Sequence, residues 1–151
     1  MLGGRGVYRP PIIVRGQQRE GTEMVLEART AQQVLQMMEA VTNKGGTGTA
    51  AQVAGYRVAG KTGTARKAVA GGYGSDYVAT FVGVAPVSNP RLAIAVIMDE
   101  PRGDHYYGGE VSAPVFSRVM TGALRILNVA PDAVTVGQGQ VAALAELNKR
   151  G

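Results

Sequence analysis

Three extended segments separated by short turns constrain the fold of this chain most strongly. Residues 58–67, 77–84 and 91–98 are rich in β-branched and apolar side chains, which favour strands. The turns between them are the glycine-rich cluster at 71–74 and the proline-flanked stretch at 86–90. Neither leaves room for the crossover that a parallel pair of strands requires. The sequence therefore predicts an antiparallel meander of three strands.

The third of these segments carries an apolar side chain at almost every position. Residues 92–98 read Leu-Ala-Ile-Ala-Val-Ile-Met, without the polar alternation that marks a strand with one solvated face. We therefore expect this strand to be buried on both faces.

One helix is predicted before the meander, over residues 28–42. Thr30 and Gln33 stand at the spacing of a capping box, and the glycines that follow Lys44 end the helix. Apolar residues recur there at the spacing of an amphipathic helix, namely Ala31, Val34, Leu35, Met38 and Val41. Residues 7–14 are predicted to be extended, with the prolines at 10 and 11 restricting any strand to a sheet edge.

A second helix is predicted after the meander. Pro114 suits a first helical turn, and the helix runs to about Leu127. Its apolar residues cover most of the circumference, which predicts deep packing, and they are Val115, Phe116, Val119, Met120, Ala123, Leu124, Ile126 and Leu127. A run of strands with helices around it is an α+β arrangement. Residues 131–151 are rich in glycine and glutamine and are predicted to form a flexible tail.

Bulk properties exclude several classes of partner. The formal net charge is +5, but the basic residues are scattered and no run of five like charges occurs, so no nucleic-acid partner is predicted. The absence of cysteine excludes disulfides and thiolate metal sites. His105 is the only histidine, and without paired ligand spacing we predict neither a metal nor a cofactor. No apolar run reaches the roughly 18 residues that span a bilayer.

Residues 55–62 match the pattern of a phosphate-binding loop, G-x-x-x-x-G-K-T. The apolar strand that ends at Asp99 would even resemble the magnesium-holding strand of such proteins. However, a phosphate loop follows a buried strand and opens a helix at its lysine. Residues 46–54 are small and polar, and residues 62–70 offer a helix only one bulky apolar side chain, Val69. Nucleotide hydrolysis is therefore a distant third hypothesis, which predicts a helix at 62–70.

The same residues have a different chemistry if they form an edge strand. Alternation then places Thr62 and Thr64 on one face, where two hydroxyls and the nearby Lys61 ammonium suit a peptide carboxylate. Gly63 between them allows a ligand backbone to approach closely. Alternation alone places Lys61 on the opposite face from the threonines, so its ammonium must come around the strand.

Five segments in a fixed order give this interpretation a family context. They are residues 45–50 (Gly-Gly-Thr-Gly-Thr-Ala), 58–67, which contain Lys-Thr-Gly-Thr, 81–86 (Phe-Val-Gly-Val-Ala-Pro), 99–101 (Asp-Glu-Pro) and 106–109 (Tyr-Tyr-Gly-Gly). As a set they closely resemble the C-terminal part of class B penicillin-binding proteins, and in particular their division-specific peptidoglycan D,D-transpeptidases. The resemblance covers about residues 1–130, which we predict to be the C-terminal part of a transpeptidase domain.

The resemblance implies a fold, a ligand and a set of site residues. Family members have a serine transpeptidase domain, similar to β-lactamases, with an antiparallel sheet flanked by helices. Lys61 would then support proton transfer, the hydroxyls of Thr62 and Thr64 would hold the carboxylate of a D-Ala-D-Ala stem peptide or a β-lactam, and the N–H of Thr64 would supply half of an oxyanion hole. Gly63 would line the groove, and Arg66 would either face it or be a surface charge. Tyr106 and Tyr107 would either form a mobile aromatic wall beside the groove or anchor a loop.

The resemblance also implies a cellular setting. It places the protein at the periplasmic face of the inner membrane among division proteins, with a membrane anchor that is expected upstream and absent here. Sheet strands that the family places upstream are missing as well, so we expect uncovered apolar surface on the third strand or its neighbours.

The nucleophile that such chemistry needs is not in this sequence. The mechanism uses a serine with a lysine three residues later and a Ser-x-Asn element. None of the serines fits either pattern, and they are Ser75, Ser88, Ser112 and Ser117. We therefore predict that the isolated chain cannot form an acyl-enzyme. Two hypotheses follow: a piece of a transpeptidase, or a non-catalytic remnant or binding fragment.

Overall fold

The computed structural model describes residues 5–10, 12, 14–17 and 21–133, which form an α+β arrangement. A three-stranded antiparallel sheet carries helices at its surface, and a two-stranded ribbon lies near the N-terminus. The elements in chain order are β1 (Val7–Tyr8), β2 (Glu23–Met24), α1 (Ala28–Ala40), a 3-10 turn (Thr49–Ala51), β3 (Ala59–Val69), β4 (Gly72–Ala85), β5 (Leu92–Asp99), α2 (Gly108–Val111) and α3 (Ala113–Ile126).

The predicted meander is confirmed. The strand order in the sheet is β3-β4-β5, and both pairs are antiparallel. β3 and β4 continue past the end of β5 and are joined by a tight hairpin. Gly71 and Gly72 close this hairpin with positive φ angles of 88° and 151°. β3 therefore lies at an edge of the sheet along its whole length.

One face of the sheet carries the core. Phe81 of β4 contacts Phe116 of α3 with ring centroids 4.8 Å apart, in an edge-to-face arrangement. Met120 and Leu124 extend the same stripe of α3, and all four side chains are fully buried. Residues paired with Phe81 share its face, so Thr62 of β3 faces the side of the sheet on which α3 packs.

The prediction that the third strand is buried on both faces is wrong. Leu92, Ile94 and Val96 pack against the core, but on the other face Ile97 is 67% exposed. Its neighbour on that face, Val82 of β4, is 46% exposed. The described part of the chain packs no layer over these side chains, so apolar surface remains uncovered there, as expected.

Two finer predictions also fail. α1 begins at Ala28 with Glu27 as its N-cap and no side-chain cap, so Thr30 lies inside the helix and forms no capping box. α3 does have its proline in the first turn, but only one stripe is buried and Ile126 is 84% exposed. Among the described residues of the first extended segment, Val7–Tyr8 form a strand, and the chain turns at 14–16, where Gln17 N–H donates to the carbonyl of Val14.

The chain after α3 is tied to the start of β3. The carboxylate of Asp132 accepts hydrogen bonds from the backbone N–H groups of Arg57 (2.7 Å) and Ser88 (3.0 Å), and Tyr56 donates its hydroxyl to the carbonyl of Val129 (2.5 Å). Residues 134–151, where most of the predicted tail falls, lie outside the described residues. None of the helices described is long and apolar enough to cross a membrane.

Candidate functional site

Residues 61–64 lie in regular antiparallel register with β4. Lys61 pairs with Val82 and Thr64 pairs with Ala79, so the segment is a strand from Ala59 to Val69. The helix at 62–70 that a phosphate-binding loop would require is absent.

The main-chain groups of the two threonines point to the open edge of the sheet. A Cβ added to Gly108 would meet the carbonyl oxygens of both Gly63 and Thr80, so these two oxygens lie close together, as in a hydrogen-bonded pair. Backbone groups alternate in direction along a strand, so those of Thr62 and Thr64 point away from β4. An extended ligand therefore meets unpaired donors and acceptors at this edge.

Each threonine hydroxyl has one hydrogen-bond partner from a neighbouring segment of the chain. The N–H of Gly108 donates to Oγ1 of Thr64 at 3.1 Å, and Oγ1 of Thr47 lies 3.0 Å from Oγ1 of Thr62. A backbone amide cannot accept, so the hydroxyl proton of Thr64 remains available to an incoming anion. The hydroxyl of Thr62 can donate to the same anion when it accepts its hydrogen bond from Thr47.

The ammonium of Lys61 reaches the edge from the opposite face. Its Nζ donates to the carbonyl oxygen of Thr62 at 2.6 Å, so the side chain bends around the strand. The structure thus brings the cation and the two hydroxyls of the sequence prediction to one stretch of edge. A carboxylate there would meet charge-assisted donors.

Close packing of α2 against the strand holds this arrangement. Gly108 is buried over the carbonyls of Gly63 and Thr80, and a Cβ on Gly109 would collide with the carbonyl of Thr47. These glycines therefore serve close approach between backbones.

Arg66, Tyr106 and Tyr107 lie beyond Thr64 in a connected cluster. Nε of Arg66 donates to the hydroxyl of Tyr77 at 3.2 Å, and the ring of Tyr77 stacks on Tyr106 at 4.3 Å between centroids. The Tyr106 hydroxyl donates to that of Tyr107 at 3.2 Å. Sequence reasoning named Arg66 and the tandem tyrosines but missed Tyr77. The available signal was its place opposite Arg66 in an antiparallel hairpin.

The titration of Tyr106 should report this cluster. The hydrogen bond with Tyr107, followed by that neighbour's charge, raises the pKa of Tyr106 to about 12. The folded state thus holds this proton more tightly than an unfolded chain, whose tyrosines titrate near pH ~10. Stability from this source is fully present below pH ~10 and is lost as the pH rises through about 12.

The measurement is an alkaline titration followed by tyrosinate absorbance. Tyr106→Phe should remove the last tyrosinate step, and Tyr107→Phe should move it to lower pH. Tyr73→Phe is the control, because Tyr73 is 75% exposed at the hairpin tip, and it should leave that step in place. A last step that survives Tyr106→Phe would contradict the geometry.

Comparisons with known proteins find similar sequences and structures. The family model for the penicillin-binding protein transpeptidase domain matches residues 1–121. The peptidoglycan D,D-transpeptidase FtsI of Escherichia coli strain K12 is 44% identical over 137 residues, covering 90% of this chain and 23% of that protein. The probable peptidoglycan D,D-transpeptidase PenA of Neisseria flavescens is 52% identical over 108 residues, covering 71% of this chain and 27% of that protein.

A solved structure is similar as well. The transpeptidase domain of penicillin-binding protein 3 from Burkholderia pseudomallei, in its apo form, has a TM-score of 0.74 and 42% identity, covering 86% of this chain and 40% of that one. The chain thus spans about a quarter of the length of the curated relatives it matches. The resemblance inferred from the five sequence segments is confirmed.

Proposed function

The chain belongs to the penicillin-binding protein transpeptidase family, and on that basis we propose that it forms the substrate-holding wall of a peptidoglycan D,D-transpeptidase. The enzyme would cross-link stem peptides during septal wall synthesis and be acylated by β-lactams. One observation carries the proposal. At the open edge of β3, Lys61, Thr62 and Thr64 converge, and Thr64 Oγ1 already accepts a fixed N–H from Gly108.

Each group has a role in holding the acyl donor. Oγ1 of Thr62 and Thr64 donate to the terminal carboxylate of D-Ala-D-Ala, or to the carboxylate of a β-lactam. The Lys61 ammonium supplies positive charge beside them and supports proton transfer. Gly63 lets the peptide approach, and the outward N–H of Thr64 stabilises the oxyanion that forms at the carbonyl under attack. Arg66, Tyr106 and Tyr107 line the outer end of the groove.

The nucleophile must come from residues outside this sequence. No serine here is followed by lysine at the third position, so the acyl-enzyme ester cannot form on these residues alone. Upstream sequence would supply the nucleophilic serine together with the anchor at the inner membrane, and division proteins would be partners of the whole enzyme.

A labelled penicillin tests this assignment. The purified 151-residue chain should show no covalent adduct by intact-mass measurement after prolonged incubation. A stoichiometric adduct on one of its serines would contradict the proposal that the nucleophile lies elsewhere. The control is the same incubation with pre-hydrolysed penicillin, which sets the background for non-specific attachment.

A second candidate function keeps the wall but not the reaction. A non-catalytic remnant would have the same edge strand and the same missing serine. The two are distinguished by the reading frame upstream of Met1, because only a piece of the enzyme requires Ser-x-x-Lys and Ser-x-Asn elements there.

A further inference from the structure

The regular pairing of β3 with β4 breaks beside the candidate site. Arg66 pairs with Tyr77, but the next paired residue of β3, Ala68, pairs with Tyr73. β4 thus passes through three residues, 74–76, opposite the single residue Lys67. Such a bulge disrupts the ladder of hydrogen bonds. The ladder therefore fixes the Arg66–Tyr77 pair from one side only.

Carboxylates at the end of β5 hold Lys67 at this break. Its Nζ lies 2.6 Å from Oε1 of Glu100 and 3.1 Å from Oδ1 of Asp99. The hydrogen bond to Glu100, and then that to Asp99, raises the pKa of Lys67. Alternation along β3 places Lys67 on the face opposite Arg66, and Asp99 pairs with Val78 on that same back face. The contact therefore crosses all three strands behind the groove.

Glu100 makes a second contact on the other side of the break. Its backbone N–H donates to the carbonyl of Tyr77 at 2.9 Å, and its φ angle is 50°. This left-handed conformation is uncommon for a residue other than glycine or asparagine. A glycine or an asparagine at position 100 would leave Lys67 without its nearest carboxylate. One residue thus binds both Lys67, next to Arg66, and Tyr77, the partner of Arg66.

We propose that Lys67, Asp99 and Glu100 form a positioning clamp on the back of the sheet. The clamp keeps Arg66 and Tyr77 aligned at the outer end of the groove, where Tyr77 stacks on Tyr106. These residues touch no ligand, and they act through Arg66 and Tyr77. Their bearing on substrate rests on the proposed function, but the Arg66–Tyr77 contact can be measured without any ligand.

The test uses isotope-labelled 151-residue chain and the side-chain Nε–H signal of Arg66, assigned by its loss in Arg66→Lys. The readout is the nuclear Overhauser effect between this proton and the Tyr77 ring. Lys67→Met and Glu100→Gln should each weaken it by about threefold, the size expected for an exposed ion-pair network. Salt at about 1 M, which screens such pairs beyond ~3 Å, should have a similar effect.

A rescue variant separates the clamp from a general loss of stability. Lys67→Arg should keep the contact, because it retains the cation that Glu100 and Asp99 hold. Lys44→Met and Asp104→Asn make the same charge changes at exposed positions and should leave the signal unchanged. The clamp is refuted if Lys67→Met and Glu100→Gln retain the full signal, or if Lys67→Arg loses as much of it as Lys67→Met does.

Benzylpenicillin distinguishes failure of the clamp from failure of the proposed function. If added penicillin leaves the amide signals of residues 62–64 unmoved while Glu100→Gln loosens Arg66, the proposed function fails and the clamp stands. If penicillin moves those signals while Glu100→Gln leaves Arg66 in place, the clamp fails and the proposed function stands.

Discussion

Gly108→Ala should destabilise the fold by about 3 kcal/mol and detach α2 from the candidate site. The added Cβ would meet the backbone carbonyls of Gly63 and Thr80. Neither oxygen can rotate away as a side chain would, so the start of α2 must lift from the sheet. That movement also breaks the hydrogen bond from Gly108 N–H to Thr64 Oγ1. The measurements are urea unfolding, for the loss of stability, and the amide signal of residue 108, for the loss of the hydrogen bond to Thr64.

The chain offers a matched control within α3. A Cβ added to Gly122 would have no atom within 4 Å. Gly122→Ala should therefore stabilise the helix by about 0.5–1 kcal/mol, the usual gain of alanine over glycine. Equal unfolding midpoints for Gly108→Ala and the native chain would contradict the close approach of α2 to the sheet.

Thr64→Val should weaken the binding of a carboxylate ligand by about tenfold. Valine keeps the shape of the side chain but removes the hydroxyl that donates to the anion, and a hydrogen bond to a charged group contributes about 1.5–3 kcal/mol. The effect is placed at the low end because this edge is exposed to water. Thr62→Val should act in the same direction. Titration with benzylpenicillin, followed by amide chemical shifts, measures both.

Two variants control for changes other than loss of the hydroxyl. Thr64→Ser keeps the donor and should keep most of the affinity. Thr49→Val removes an exposed hydroxyl near the site, and the structure gives that side chain no hydrogen bond; it should bind as the native chain does. Undiminished binding by Thr64→Val and Thr62→Val together would refute the roles assigned to the two hydroxyls.

The sequence was sufficient to predict the sheet and one face of the site. Strand alternation placed Thr62 and Thr64 together, and short turns required an antiparallel meander. It placed the strand ends less well. The glycine cluster at 71–74 suggested that the second strand begins near Tyr77. The hairpin instead closes at Gly71 and Gly72, so β4 begins at Gly72.

The hydrogen-bond partners of the site residues could not be predicted from the residues near them in the sequence. Thr47 reaches Thr62, and Gly108 reaches Thr64, only because a turn and the start of α2 converge on the edge of β3. The prediction that β5 is buried on both faces failed for a similar reason. An unbroken apolar run predicts a strand covered on both faces, yet Ile97 is exposed. Whether another layer covers a face of the sheet depends on residues outside β5.

We infer that the edge of β3 holds the charged end of a peptide. The most direct test titrates the 151-residue chain with an N-acylated D-Ala-D-Ala dipeptide and with the same dipeptide amidated at its C-terminus. We expect the acid to shift the amide signals of residues 62–64 and to bind about tenfold more tightly than the amide. Equal affinity for both dipeptides, or shifts confined to other parts of the sheet, would contradict it.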